Sequence, residues 1–522
     1  MRNIGLVSVV TMGSRVLGLG RDMLTTAVFG ASGLNSAFVT AFTLPNLFRR
    51  LLGEGALTAA LVPTLHEEAE RGRREGAYAL LSQVASWLLV VTGVLVTVAM
   101  IGLAMLARSG DALAGWGVPA GALARWVTAA ELAVVLFPYL VLVCLAAAFS
   151  ATLQTFGRFL EPALSPVWLN LSMIGLLGGA VWLGWAREES GRMWWLCAGV
   201  LLGGFLQMLV PALALVRAGW RPRFDLGRSA GLRQIALLMG PTVLGSAIYL
   251  VNMAVSRMFG LSINEAAATV LNLSTRLMEL PIGVFAIAIS TVVFPQIARH
   301  AARGEGAELA GAYRRGMRLI LLINVPAAVG MAVLAAPVVR LLFERGAFAE
   351  GDPTMGPVVM VCALGLPFLS FVSLALRAFY ARKDTSTPVR AAGWSFAVNV
   401  AASLALMGPW STVGLALAGT LAVMVQAFYL QGRLTAVWPE LAFGHLARDL
   451  AKVVVASVFM GVAVAAAWRG WSSQAGDGVL LLAAGLALCI GLGVLVYGAA
   501  AWVLRVEGRD ELAALLKRRG RA

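Results

Sequence analysis

Apolar residues run through this 522-residue chain in long blocks separated by short polar segments. A helix needs about 18 or more such residues to cross a bilayer. Fourteen stretches qualify, at 4–28, 36–63, 80–106, 128–153, 163–185, 194–216, 234–257, 265–297, 318–339, 357–380, 390–408, 411–431, 451–469 and 479–504. The tightest division, between 390–408 and 411–431, falls around Gly408-Pro409-Trp410, where Gly and Pro favour a turn. The opening "MRNIGLVSVVTMG" has the hydropathy of a signal peptide but no small-residue cleavage site. The helical pattern continues through Arg21, so it reads as a retained first span. The pattern predicts an all-α polytopic membrane protein with about 14 transmembrane helices.

Composition removes the soluble alternatives. The chain is 60% hydrophobic and only 13% charged, with a mean hydropathy of +0.84. Its net charge of +15 does not point to nucleic acid, because most of the 41 Lys and Arg lie in tails and short loops between spans. They concentrate in the two tails and the even-numbered loops, as in "KRRGR" at 517–521. The positive-inside rule then predicts both termini in the cytoplasm of a multi-pass protein. Cys144, Cys197, Cys362 and Cys489 lie in apolar stretches without metal-ligand spacing, and His66, His300 and His445 lie in separate loops. None of the three Lys stands in a phosphate-cradling GxxxxGK[ST] loop. With no metal site, nucleophile triad or ATP site legible, the expectation is a transporter without cofactor or catalytic residues.

An internal repeat suggests how the spans are arranged. "LFPYLVLVCLAAAFSATLQ" from 136 is echoed by "GLPFLSFVSLALRAFYARK" from 365, with Pro138 and Phe149 answered by Pro367 and Phe379. "LPNLF" at 44–48 is echoed by "LPIGVF" at 280–285, and each is followed by a span with a late Pro, Pro63 or Pro295. The offset is six spans, an even number, so both copies keep one orientation. The expected architecture is two parallel six-helix lobes plus two extra C-terminal helices. Residues 1–225 form the N-terminal lobe, 226–440 the C-terminal lobe, and 441–522 the added helices 13–14 and a basic cytoplasmic tail.

The main functional signal is charge within three spans. Span 1 holds Arg15, Arg21 and Asp22; span 2 holds Arg49, Arg50 and Glu54; span 8 holds Arg276 and Glu279. Such charges are costly in a bilayer and mark cavities or pathways. Arg276 follows the start of span 8 by about eleven residues, roughly 16 Å at 1.5 Å per residue, so it is too deep to reach a surface easily. Arg15 and Arg21 would point about 240° apart on a straight helix. Gly18 and Gly20 lie between them and could break the helix, turning both into one cavity. Arg50–Glu54 and Arg276–Glu279 have the spacing of helical ion pairs. The five Arg exceed the three acids, and no Lys joins them, which favours an anion such as a phosphate or diphosphate. Ion pairing that merely ties helices together is the alternative. Asn252, Ser256 and Asn272 suit either a coupling-ion site or helix-packing hydrogen bonds.

Four stretches carry a family likeness: "SRVLGLGRD" (14–22), "LPNLFRRLLGEGALTAALVPTL" (44–65), "RLMELPIGVFAIAISTVVFPQ" (276–296) and "AFYARKDTSTPV" (378–389). They resemble the signature stretches of MurJ-type flippases, formerly called MviN, in the MOP exporter superfamily. The resemblance extends over spans 1 to 12. It implies a V-shaped pair of lobes around a cationic cavity. The implied activity is moving lipid II, the undecaprenyl-diphosphate-linked peptidoglycan precursor, from the inner to the outer leaflet of the bacterial cytoplasmic membrane. It implies that Arg15, Arg21, Arg49 and Arg276 matter for function, the last three by engaging the diphosphate. Asp22, Arg50, Glu54 and Glu279 would be supporting charge pairs. Spans 13 and 14 would form a groove for the lipid tail.

The chain departs from the family pattern at Ser36, where many relatives carry an acid, and at Thr43, where some carry Lys. Expected partners are lipid II, membrane lipids and cell-wall synthesis proteins. Membrane potential or a monovalent cation would drive the cycle by alternating access. A flippase for another polyprenyl-diphosphate oligosaccharide, or a cation-coupled multidrug exporter of the same superfamily, remains open. The exporter would suit an acidic or apolar cavity better than a surplus of Arg.

Overall fold

A computed structural model describes residues 2–48, 56–108, 119–303, 305–381, 384–439, 444–474 and 478–508. Among them are sixteen α-helices, one 3-10 helix and no strand. Packing divides the chain into two compact units: Met1–Thr269 with Arg345–Ala349, and Val270–Glu344 with Glu350–Ala522.

The first unit contains α1 (Arg2–Phe29), α2 (Gly33–Phe48), α3 (Ala56–Arg108), α4 (Ala120–Leu136), α5 (Tyr139–Thr155), α6 (Leu160–Trp182), α7 (Glu189–Arg217) and α8 (Ala230–Ile263). Pro138 lacks the N–H that would continue a helix, and α4 and α5 meet there at 43°. α6 and α7 approach closely because α7 turns glycines towards its neighbours. A Cβ on Gly199 would lie 2.8 Å from Met173 Cα, and one on Gly203 2.8 Å from Leu169 Cα. Small residues on such a face let apolar helices pack backbone to backbone. Tyr139 is fully buried beside them, and its hydroxyl donates to Gln207 Oε1 at 3.1 Å.

α9 (Ala267–Val292) carries the chain into the second unit. There follow α10 (Phe294–Arg303), α11 (Gly306–Val333), α12 (Ala335–Leu342), α13 (Met355–Ala381), α14 (Ser386–Val437), α15 (Gly444–Ser472) and α16 (Val479–Val503). α14 is two helices joined at Ser411, where φ is 49° and ψ −128°. The expected division fell one residue earlier. α15 and α16 dock on α11: Tyr497 donates to the Leu322 carbonyl at 2.7 Å, and Arg318 pairs with Asp449 at 3.2 Å and Glu507 at 2.6 Å. The added C-terminal helices therefore pack as part of the second unit.

Eight helices among the described residues are long and apolar enough to cross a membrane, or nine spans if α4 and α5 count as one. Since α14 holds two expected spans, these account for spans 3–6 and 9–14. Spans 1, 7 and 8 correspond to α1, α8 and α9, and the described parts of span 2 to the end of α2 and the start of α3; none passes that test among the described residues. α1 and α9 carry internal charges, and α2 has 16 residues.

The expected lobe boundary after residue 225 is not where the packing divides. α8 stays with the first unit because Ile235, near its start, is buried in the core with Leu80, Leu81 and Val84 of α3, and its C-terminal end is held there too. Arg125 on α4 donates to the carbonyls of Leu261 (2.7 Å) and Ser262 (3.2 Å), and Trp126 donates to Ser262 Oγ at 3.1 Å. A cation on the last carbonyls of a helix is favourable. Ser36 on α2 holds the next turn, donating to the Glu265 carbonyl and lying 3.0 Å from Thr269 Oγ1.

Candidate functional site

Arg21 and Asp22 are adjacent on α1, and both side chains are nearly buried, at 11% and 8% exposure. Arg21 donates from Nε (3.0 Å) and Nη2 (2.6 Å) to the same oxygen, Asp22 Oδ1. Its Nη1 donates to Asn170 Oδ1 on α6 at 3.1 Å. Asn170, 6% exposed, also donates from Nδ2 to the Ser14 carbonyl at 3.1 Å. It thereby ties two turns of α1 together and fixes the Arg21 guanidinium. The lack of a side chain at Gly18 admits Asn170, whose Nδ2 would stand 3.5 Å from a Cβ there.

This arrangement corrects one expectation. α1 is not broken at Gly18 or Gly20; it is one helix from Arg2 to Phe29. Gly18 serves close approach to α6, and the helix keeps its hydrogen bonds, so Arg15 and Arg21 do not turn to one side by unwinding. Arg15 is half-buried and, among the described residues, makes no hydrogen bond or ion pair.

In the second unit, Arg276 Nη1 lies 2.6 Å from Glu279 Oε2, the expected pair on one face of α9, with both side chains about one-third exposed. Arg49, Arg50 and Glu54 lie outside the described residues. Of the charges that are described, Arg21 lies against Asp22 in the first unit and Arg276 against Glu279 in the second. A ligand with more negative charge can displace such a carboxylate from a guanidinium.

The departures at Ser36 and Thr43 have structural roles. Ser36 holds the α8–α9 turn, and Thr43 donates to the Val39 carbonyl within α2 at 2.6 Å. Ser256 donates to the Asn252 carbonyl at 3.1 Å, a bond within α8. Sequence reasoning missed Asn170 and also Arg257, which is 4% exposed and donates to the Ala268 carbonyl at 3.3 Å. A lone Asn in an apolar span gave no pattern to read.

Comparison with known proteins settles the family. A sequence model described as "Lipid II flippase MurJ" matches residues 25–485. The chain belongs to the MurJ lipid II flippase family. It is similar to a probable lipid II flippase MurJ of Rhizobium meliloti (strain 1021), at 33% identity over 89% of this chain and 86% of the relative. It is likewise similar to one of Rhizobium tropici, at 31% identity over 90% and 88%. In three dimensions it resembles a solved lipid II flippase MurJ in an inward closed conformation, with a TM-score of 0.77, 23% identity, and coverage of 97% of this chain and 99% of that one. It also resembles an inward-facing multidrug resistance MATE family transporter of the MOP superfamily, with a TM-score of 0.62, 16% identity, and coverage of 83% and 98%. The fold is therefore shared with both solved structures, and the family is the one that the resemblance of the four signature stretches implied.

Proposed function

We propose that this protein moves lipid II across the bacterial cytoplasmic membrane by alternating access, from inner to outer leaflet. The observation that carries this reading is the near-buried Arg21, with its fork on Asp22 and Asn170, in a chain of the MurJ family. Arg21, Arg49 and Arg276 are the residues assigned to the diphosphate, with Arg15 supporting them. Arginine suits that role because its planar fork matches phosphate oxygens in pairs. Asp22 and Glu279 keep the guanidinia paired when no ligand is present. A diphosphate takes over the same donors and returns them on release, so the internal acids keep binding reversible. Membrane potential or a monovalent cation resets the cycle, and both termini face the cytoplasm.

The test is lipid II binding to purified protein in detergent by native mass spectrometry, with a zwitterionic phospholipid as control. Wild type should bind lipid II selectively. Arg21→Ala and Arg276→Ala should each weaken it about tenfold or more, the loss of one charge-assisted contact. Equal binding by all three folded proteins would overturn the site assignment in favour of ion pairs that only tie helices together.

A further inference from the structure

Residues 218–229, between α7 and α8, cross one face of α3 as a non-helical strap. Tyr78 donates to the Ala218 carbonyl at 3.1 Å, and Trp220 Nε1 to Ser82 Oγ at 3.1 Å. The Asp225 N–H donates to Ser86 Oγ at 2.9 Å, and Trp87 Nε1 to the Gly227 carbonyl at 3.3 Å. Positions 78, 82 and 86 follow one stripe of the helix, with 87 beside it, so a single face of α3 holds the strap. Trp220 is buried, its ring 5.2 Å from that of Phe149. The one acid, Asp225, is occupied by Gln83 Nε2 at 3.0 Å and the Gly227 N–H at 2.7 Å.

The outward side of the strap has the opposite character. Arg221, Arg223 and Arg228 are exposed, as is Phe224 at 68%. At its end, Arg228, Ser229, Arg233, Gln234, Leu237 and Leu238 line a cleft of about 490 Å³. Arg228 lies over the Trp87 ring at 5.9 Å, a contact that leaves its N–H groups available. Neither the Arg228 nor the Arg233 guanidinium makes a hydrogen bond or ion pair among the described residues. Leu237 and Leu238, both exposed, follow Arg233 by one turn of α8. The cleft thus passes from two unpaired cations to apolar side chains within one helical turn. The strap lies where the apolar run of α3 begins and where α7 ends, the level at which aromatic and basic side chains meet lipid headgroups.

We propose that the strap and cleft form a binding site for an anionic phospholipid. Arg228 and Arg233 take its phosphate, Leu237 and Leu238 lie along its acyl chains, and Phe224 enters the interface beside it. Four arginines outnumber the two acids beside them, the internally engaged Asp225 and Glu68, whose Oε1 would stand 3.5 Å from a Cβ on Gly231, and so select a headgroup with net negative charge over a zwitterionic one. The site is distinct from the Arg21 cluster and does not depend on the transport reading.

Purified full-length protein in detergent would be titrated with dioleoylphosphatidylglycerol, dioleoylphosphatidylcholine and, separately, water-soluble glycerol 3-phosphate, with retention read by native mass spectrometry. Wild type should retain the phosphatidylglycerol in preference to the choline lipid. Arg228→Gln with Arg233→Gln should weaken that retention about tenfold, since each arginine near a lipid surface contributes a substantial share of the attraction. Arg233→Lys should preserve most of it, which separates lost charge from lost folding, and Arg21→Ala should leave it unchanged. The proposal is overturned if folded double variant and wild type retain the lipid equally. It is also overturned if the choline lipid binds as well, or if glycerol 3-phosphate competes as strongly as the lipid, which would make the cleft a site for soluble phosphate.

Discussion

Asn170 carries a purely local burden that the charges around it make large. Its amide satisfies Arg21 Nη1 and the Ser14 carbonyl at once, in a place nearly closed to water. Replacing it by leucine keeps the number and branching of side-chain heavy atoms and removes both hydrogen bonds. Leaving buried polar groups unpaired costs about 1–3 kcal/mol. Asn170→Leu is therefore expected to lower the melting temperature in detergent and to weaken lipid II binding, since Arg21 loses the contact that orients it. Unchanged melting and binding would show that Asn170 neither braces α1 nor positions Arg21. At this scale the sequence was readable where a charge interrupts an apolar run, as at Arg21, Asp22 and Arg276. It was unreadable where the deciding group is neutral and lies 149 residues away, as Asn170 lies from Arg21. The same gap explains Gly18: flanked by two arginines it reads as a break, and only the approach of α6 shows that it is a seat.

Elements end and begin where single side chains take over the backbone's hydrogen bonds. Asp384 precedes α14, and its Oδ1 accepts from the N–H groups of Ser386 (3.0 Å) and Thr387 (3.1 Å), while Oδ2 accepts from Thr387 Oγ1 at 2.7 Å. Partial burial pushes its carboxyl up, but these hydrogen bonds outweigh it and hold the group below its ordinary range. A carboxyl lowered on folding contributes stability that is present above its unfolded pKa of about 3.9 and is lost as pH falls through the lower folded value. Asp384→Ala should thus cost about 1 kcal/mol at neutral pH, as the loss of a helix cap does. The difference in melting temperature from wild type should shrink below about pH 4. A difference that stays constant from pH 7 to pH 3 would refute the capping role. "KDTSTPV" was legible as a signature stretch, and the Asp-x-Ser-Thr spacing at the head of α14 is its physical content. The turn at Ser411 was likewise legible to within a residue, because Gly408 and Pro409 precede it.

At the scale of the whole molecule, the long apolar helices were the easiest part to read, and the helices with internal charges the hardest. Spans 3–6 and 9–14 correspond to helices apolar enough to be recognised by composition alone. α1 and α9 are interrupted by the charges that make them interesting, and the attachment of α8 to the first unit rests in part on Arg125, Ser36 and Trp126, contacts between residues more than 130 positions apart. No periodicity in a single sequence reports such pairings. Basic residues, in contrast, report topology without any knowledge of packing. The strap at 218–229 and the tail after Arg505 are both rich in Arg, while the turn between α6 and α7, near Gly184, separates expected spans 5 and 6 on the opposite side. Positive charge resists translocation, so the first two should stay in the cytoplasm and the third should be exported. Alkaline phosphatase inserted after Gly184 should be active, and the same enzyme fused after Arg505 inactive. A green fluorescent protein at that C-terminal position should fluoresce. The reverse pattern would invert the molecule, and activity at both positions would require an even number of crossings between them. Either result would remove the orientation on which inward loading of lipid II depends.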